Sequence, residues 1–282
     1  MKGRIHLVGT PIGNLGDLTL RAIEVLRAVE HVAAEDTRRT RALLSHLQIQ
    51  GKRLHALDAH ASGSSVERLL LLVEQGAELA LVTDAGMPGV SDPGRALVRA
   101  AAERGLPVVV VPGPSAVTAA VALSGLVEAA FFFAGFLPRR GKKREAALAR
   151  LATTVEPVLL FEAPLRVAGT LSDLAVLMPG RAACVCRELT KLHEEALRGT
   201  LSDLAAPARE WRGECVIVLG ASEAAAANSA LSEADLGALL AARIAGGEPV
   251  KRIAAELAQL TGLPRRELYA RVLAAKARRD LR

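Results

Sequence analysis

Apolar positions along this chain come in short dense blocks, and most blocks end in a loop rich in glycine and proline. Ile5, Leu7 and Val8 form the first block, which runs into Gly9-Thr10-Pro11-Ile12-Gly13-Asn14-Leu15-Gly16. An apolar-periodic helix follows near Thr19, with Leu20, Ile23 and Leu26 on one stripe. Further strands are predicted over 32–35, 79–83 and 107–111, with a helix opened by the Ser64-x-x-Glu67 box and stopped near Gly76, and another from Asp92-Pro93 to Gly105. Strand and helix alternate in this way only where a parallel sheet is covered on both faces. The strand exits Gly9–Gly16, Asp84-Ala85-Gly86-Met87-Pro88-Gly89 and Pro112-Gly113-Pro114-Ser115-Ala116 then share one edge of one sheet, where such folds bind ligands. The first loop is neither the G-x-G-x-x-G dinucleotide fingerprint nor a P-loop.

The second half repeats the pattern with strands predicted over 131–133, 158–161, 182–186 and 214–219. Residues 221–230 are rich in Ala and Ser and read as a linker. Three helical patterns follow, the last two over 249–260 and 264–277, joined by Thr261-Gly262-Leu263 as in a helix-turn-helix. The domains expected are 1–117, 118–222 and 231–282.

Composition supports this layout. Of the 282 residues 51% are hydrophobic and only 2% aromatic, which favours Ala/Val/Leu helices and buried parallel strands over a β-sandwich. The uncharged run 106–127 is broken by Pro107, Pro112, Gly113 and Pro114, so it reads as strand, loop and helix rather than a membrane span. The first residues lack a signal-peptide core, and the three cysteines fit neither a disulfide framework nor a zinc site. A soluble protein of the reducing cytoplasm is expected. Net charge is +6, and the segment 243–282, with ten Lys/Arg and four Asp/Glu, carries all of that excess. Together with the basic loop 139–144, this tail is either a phosphate-binding face or a solvated helical surface.

Eight blocks occur in order: Thr10-Pro11-Ile12-Gly13-Asn14-Leu15, Ala34-Glu35-Asp36-Thr37-Arg38, Asp84-Ala85-Gly86-x-Pro88, Ser91-Asp92-Pro93-Gly94, Pro112-Gly113-Pro114, Gly135-Phe136-Leu137-Pro138, Glu162-Ala163-Pro164-x-Arg166 and Arg187-Glu188-Leu189-Thr190-Lys191. With them the chain resembles the ribosomal RNA ribose 2′-O-methyltransferases of the tetrapyrrole methylase superfamily. The resemblance implies two α/β domains of the class III methyltransferase type, a small C-terminal helical region, and S-adenosyl-L-methionine (SAM) in the cleft between the domains. It implies methylation of a cytidine ribose in small-subunit (16S) RNA, either naked or in the assembled subunit, and a homodimer. No metal and no membrane are implied. Cofactor contacts implied by position are Pro11, Asp84, Ala85, Gly86, Met87, Ser115, Ala116, Phe161 and Val216. Two alternatives stay open: a tetrapyrrole methyltransferase, which would not need the basic tail, and a non-catalytic RNA-binding assembly factor, which would not need the cofactor loops.

Methyl transfer to a hydroxyl is an in-line displacement that needs positioning and a group to take the proton. Candidate bases at strand exits are Glu35, Asp36, Glu162, Glu188 and Lys191, with Asp36 and Lys191 preferred and Arg187 expected to lower the lysine's pKa. Each has a structural alternative: Glu35 or Asp36 as a helix cap, Glu162 in a salt bridge with Arg166, and Arg187, Glu188 and Lys191 in an ion-pair cluster. Candidate RNA contacts are Arg38, Arg139, Arg140, Lys142, Lys143, Arg166, Arg187, Lys251, Arg265 and Arg266. Met87, Leu165 and the stretch Asp58-Ala59-His60-Ala61 depart from the family pattern, which puts a cofactor contact and the RNA-facing surface in question.

Overall fold

The computed structural model describes residues 2–57, 63–92, 94–206, 209–222, 233–261 and 264–280. The first unit is a five-stranded parallel sheet built from β1 (Ile5–Val8), β2 (His31–Ala34), β3 (Arg53–Ala56), β4 (Leu79–Val82) and β5 (Val108–Val111) in the order β3-β2-β4-β1-β5. Every residue of β2 and β4 is buried, as expected for central strands covered on both sides. Alternate residues serve opposite faces. Val32, Ala34, Ala80 and Val82 pack under α1 (Leu20–Ala28) and α2 (Thr37–His46), whereas Ala33, Leu79 and Leu81 pack under α3 (Gly63–Glu74) and α4 (Gly94–Glu103).

The second unit is a mixed sheet of β6 (Phe132–Phe136), β7 (Val158–Glu162), β8 (Ala182–Arg187), β9 (Glu195–Thr200) and β10 (Cys215–Leu219), ordered β6-β7-β10-β8-β9. β6 and β7 run parallel and the other pairs are antiparallel. One face is covered by α6 (Lys142–Thr153), α7 (Pro164–Leu177) and α8 (Leu201–Ala205), through Leu148, Leu151, Val167, Leu171 and Leu201. The other face is covered by α5 (Ala116–Ser124), through Val117 and Ala120, together with Ile12 from the loop after β1. Helix α5 follows the last strand of the first sheet yet packs on the second, so the two sheets share a core. The third unit is α9 (Glu233–Ala245), α10 (Val250–Thr261) and α11 (Arg265–Asp280), with its own core of Leu240, Ile244, Ile253, Leu257, Leu268 and Val272. Among the described residues no helix is long and apolar enough to cross a membrane.

Most predicted elements match these within a residue or two, and the exceptions have physical causes. β3 and β9 are edge strands with half-exposed, mixed sequences, RLHA and EALRGT, so no apolar run marks them. β6 continues past Phe133 to Phe136 through an irregularity in its pairing with β7. α3 begins at Gly63, one residue before the Ser64 box, and the Glu67 carboxylate pairs with Arg104. A capping box does open α8, where the Thr200 hydroxyl accepts from Asp203 N and the Asp203 carboxylate accepts from Thr200 N. The linker 221–230 and the departure at 58–61 lie almost wholly outside the described residues.

One buried cation fastens the second unit. Arg181 is 4% exposed and donates to three carbonyls, Leu151 at 3.0 Å, Glu156 at 2.8 Å and Gly220 at 2.8 Å. Its charge faces carbonyl dipoles rather than a carboxylate, and burial pulls its pKa down. It ties the end of α6 to the ends of β7 and β10. Arg181→Leu leaves those acceptors dry and is expected to destabilise the protein by about 3 kcal/mol, read as a lower urea midpoint at unchanged m.

Candidate functional site

β1 and β4 lie side by side at the point where the chain reverses its direction across the first sheet: α1 leads from β1 toward β2, and α4 leads from β4 to β5 at the opposite edge. A crevice forms beyond strand ends that diverge in this way. Its floor is stitched by reciprocal backbone bonds between Thr10 and Gly86 at 2.9 and 3.0 Å, and the Thr10 hydroxyl donates to Thr83 O at 3.0 Å. The loops are packed backbone to backbone: a Cβ on Gly9 would lie 2.7 Å from both Gly113 Cα and Met87 Sδ, so a side chain is excluded there. Asp92 closes the loop after β4 by accepting from Gly89 N at 2.6 Å and Gly94 N at 2.7 Å.

The second unit supplies the opposite wall. Together they enclose a cavity of about 460 Å³ lined by Ile12, Glu35, Arg39, Thr83–Met87, Val90, Ser91, Asp92, Ser115, Ala116 and Val117 from one side, and by Phe136, Phe161–Pro164, Leu189 and Glu214–Val216 from the other. Of the residues predicted to touch a cofactor, Asp84, Ala85, Gly86, Met87, Ser115, Ala116, Phe161 and Val216 all line it. Pro11 is the exception, and its neighbour Ile12 takes the place.

Carboxylates dominate the charged lining, with Arg39 as the cation among them. Glu35 accepts from the Thr83 hydroxyl at 2.9 Å. Asp84 accepts from Asp36 N at 3.0 Å and sits 3.5 Å from Arg39 Nε. Burial pushes the Asp84 carboxyl up, and the nearby Glu35 and Asp36 charges add to this against the opposing backbone bond and Arg39.

The two preferred bases are both engaged by internal partners. Asp36 is the N-cap of α2, accepts from Arg38 N at 2.8 Å, and is gripped by the Arg38 guanidinium at 3.1 and 2.7 Å. Those bonds hold its carboxyl far below the usual range. Lys191 is bound by Glu188 at 2.8 Å and Glu214 at 3.0 Å. Burial alone would lower its pKa, but the two carboxylates outweigh burial and leave it above the ordinary lysine value. Arg187 does not act on it as expected, because Glu195 holds its guanidinium at 3.1 Å. Glu188 is bonded by Lys191 and by Glu214 N at 3.0 Å, which keep it ionised. Its backbone and that of Thr190 lie at φ +51° and +67°, a conformation that costs energy for non-glycine residues and here turns the loop across the first unit. Glu162, the remaining candidate base, has a wholly buried side chain that accepts from Thr170 Oγ1 at 2.7 Å, Ala163 N at 2.9 Å and Arg166 at 3.2 Å. It forms an ion pair with Arg166 and also lines the cavity.

The predicted RNA contacts divide the same way. Arg166 is bonded internally to Glu162 and Leu137 O, and Arg187 to Glu195 and Arg212 O. Arg38 is 86% exposed apart from its bond to Asp36. Arg139, Arg140, Lys142 and Lys143 are exposed in the segment that follows the lining residue Phe136, and Lys251, Arg265 and Arg266 are exposed on the third unit. Sequence reasoning missed Ile12, Arg39, Thr83, Val90, Ser91, Asp92, Val117, Phe136, Ala163, Pro164, Leu189, Glu214 and Cys215 as lining residues. All but Ser91 and Asp92 lie within three residues of a predicted one, and those two fall in a quoted block, so the blocks pointed to the right loops but not to which side chains turn inward.

This geometry has known counterparts. A family model described as Tetrapyrrole (Corrin/Porphyrin) Methylases matches residues 4–205, and one described as RsmI C-terminal HTH domain matches residues 230–276. The chain is 42% identical over 271 residues to the ribosomal RNA small subunit methyltransferase I of Synechocystis, covering 95% of this chain and 96% of that protein. It is 42% identical over 223 residues to the protein of the same name from Thermotoga maritima, covering 78% of this chain and all of the relative. Among solved structures, uroporphyrin-III C-methyltransferase from Thermus thermophilus complexed with S-adenosylhomocysteine shares the fold with a TM-score of 0.55 at 19% identity, over 77% of this chain and 97% of that one. Matched by one family model across most of its length and by relatives of a single name across nearly all of theirs, the chain belongs to the tetrapyrrole methylase family and, within it, to the ribosomal RNA small subunit methyltransferase I group.

Proposed function

We propose that the protein is a SAM-dependent methyltransferase that modifies the ribose 2′-hydroxyl of a cytidine in small-subunit ribosomal RNA. The observation that carries this reading is the charge of the cavity lining, where Glu35, Asp84, Asp92, Glu162 and Glu214 outnumber Arg39, while the exposed cations Arg139, Arg140, Lys142 and Lys143 follow the lining residue Phe136 in the chain. An interior bearing Glu35, Asp84 and Glu214 suits a cationic sulfonium and repels phosphate, so a polyanionic substrate meets the protein at the rim. The volume of about 460 Å³ lies in the range of cofactor pockets, and Ile12, Val117, Phe161 and Val216 give it an apolar surface for a flat heterocycle. When bound there, SAM supplies a methyl group already activated as a leaving-group-bearing cation.

The chain's own part is positioning and proton handling. Loops from both units fix one binding pose, which accounts for most of the rate in a displacement of this kind. Asp84 accepts the hydroxyl proton in this scheme: burial raises its pKa and so its basicity, whereas the Arg38 guanidinium makes Asp36 a weak base and two carboxylates keep Lys191 protonated. The Thermotoga relative is about as long as the two-sheet body. That supports assigning the chemistry to this body and additional RNA contact to the basic helices.

Incubating small ribosomal subunits with methyl-labelled SAM is expected to place the label on one cytidine ribose, mapped by resistance of the adjacent bond to alkaline cleavage; label on a tetrapyrrole and not on RNA refutes the proposal. Asp84→Asn should lower turnover by roughly a hundredfold. Its stability effect has the opposite sign: the ionised carboxylate is the form that burial disfavours, so the amide raises Tm slightly at pH 7, and the gain vanishes below the ordinary carboxylate range. A protein ending at residue 230 should bind SAM normally but bind subunits more weakly, with a flatter dependence of log Kd on log salt, because fewer phosphate counterions are released.

A further inference from the structure

Phe136 stands out in a chain with only five phenylalanines, one tryptophan and one tyrosine. It is 58% exposed at the wall of the cavity and is the most exposed of the five phenylalanines. Its placement follows from a bulge. In β6, Phe132 pairs with Val158 and Phe133 with Leu159, but one residue is then skipped, so that Gly135 pairs with Leu160 and Phe136 with Phe161. Simple alternation from Phe132 through Ala134 would turn Phe136 toward the core under α6 and α7, where Phe132 and Ala134 pack. The extra residue, with Gly135 at φ +64°, sends it instead to the face of Leu159 and Phe161, which is the cavity side.

There the ring is braced. Its centroid is 5.4 Å from Phe161, which meets Phe133 edge-on at 5.0 Å. Immediately after it the chain is pinned, with Leu137 buried and its carbonyl accepting from Arg166 at 2.9 Å, and Pro138 O accepting from Arg144 at 3.2 Å. Beyond the pin come Arg139, Arg140, Lys142 and Lys143, all exposed and without hydrogen-bond or ion-pair partners among the described residues. A fixed aromatic face followed by unpaired cations is the combination that holds single-stranded nucleic acid, the ring taking a base and the cations the backbone.

We propose that Phe136 is the stacking platform for the base of the nucleotide to be methylated, drawn out of its RNA helix, with Arg139, Arg140, Lys142 and Lys143 holding the flanking phosphates. This rests on the RNA methyltransferase reading above and adds a requirement to it: the target must be single-stranded or extruded. Stacking explains why a ring is left exposed beside an acidic cavity that repels the backbone itself.

The test compares Phe136→Ala, Phe136→Trp and the double variant Arg139→Gln/Arg140→Gln with wild type, using small subunits and SAM. Phe136→Ala should lower kcat/KM for subunits by about tenfold or more while the SAM Kd measured by calorimetry stays within about twofold, and Phe136→Trp should restore most of the loss. The double variant should flatten the salt dependence of subunit binding, which Phe136→Ala should leave unaltered, because a ring neutralises no phosphate. An unchanged kcat/KM in Phe136→Ala overturns the proposal. So does a SAM Kd weakened in parallel with turnover, which would assign the ring to the cofactor. Failure of the wild type to methylate RNA at all is a separate result that removes the underlying function and this inference with it.

Discussion

The loop leaving β1 is the constraint on which the rest of this molecule depends, because it is bonded to both sheets at once. Its beginning is fixed to the first unit by the Thr10–Gly86 backbone pair. Its middle residue, Ile12, is 7% exposed and lies in the core shared by α5 and the second sheet. Its end is tied to the second unit, where Asn14 N donates to the Thr190 hydroxyl at 3.1 Å and Gly13 presses against Lys191 so closely that a Cβ would lie 2.5 Å from Lys191 Cγ. Two sheets held this way cannot slide without unburying Ile12, and the cavity between them keeps its shape.

That constraint also explains what the ionisable groups around the cavity do. Lys191 is packed under the β1 loop and between Glu188 and Glu214, so its charge locks the second unit's loop in place. Asp36 caps α2 and orients Asp84 through its backbone amide. Glu162 organises the turn from β7 into α7 and, through Arg166, the end of β6. Groups saturated by internal bonds hold the frame, while the partly buried Asp84 carboxyl beside Glu35 is pushed up by burial.

Charge is separated by distance from the cavity. Acidic groups line the cavity, and basic groups lie exposed in the segment 139–143 and on the separate helical unit, so the two signs of charge occupy different surfaces. The core of α9, α10 and α11 is self-contained, and its basic residues therefore form a second surface, independent of the residues that shape the cavity.

Local rules sufficed for much of this. The buried runs Leu79–Val82 and Cys215–Leu219 could only be central strands, the Gly/Pro blocks had to be loops at their ends, and the concentration of cations beyond residue 242 was visible as composition. What pattern could not reveal was which partner each polar group finds. Sequence left Arg166 open between an RNA contact and a salt bridge with Glu162, and Lys191 between a base and an ion-pair cluster; the fold supplied the Glu162 pair, set Glu195 beside Arg187, and brought Glu214, more than twenty residues away, onto Lys191. The inward turn of Phe136 depends on a register shift against β7, and the edge strands β3 and β9 exist because a neighbour supplies their hydrogen bonds. Burial is written in the order of residues because it follows local periodicity; ionisation, pairing and register arise from contacts between distant segments, and only the folded chain brings those together.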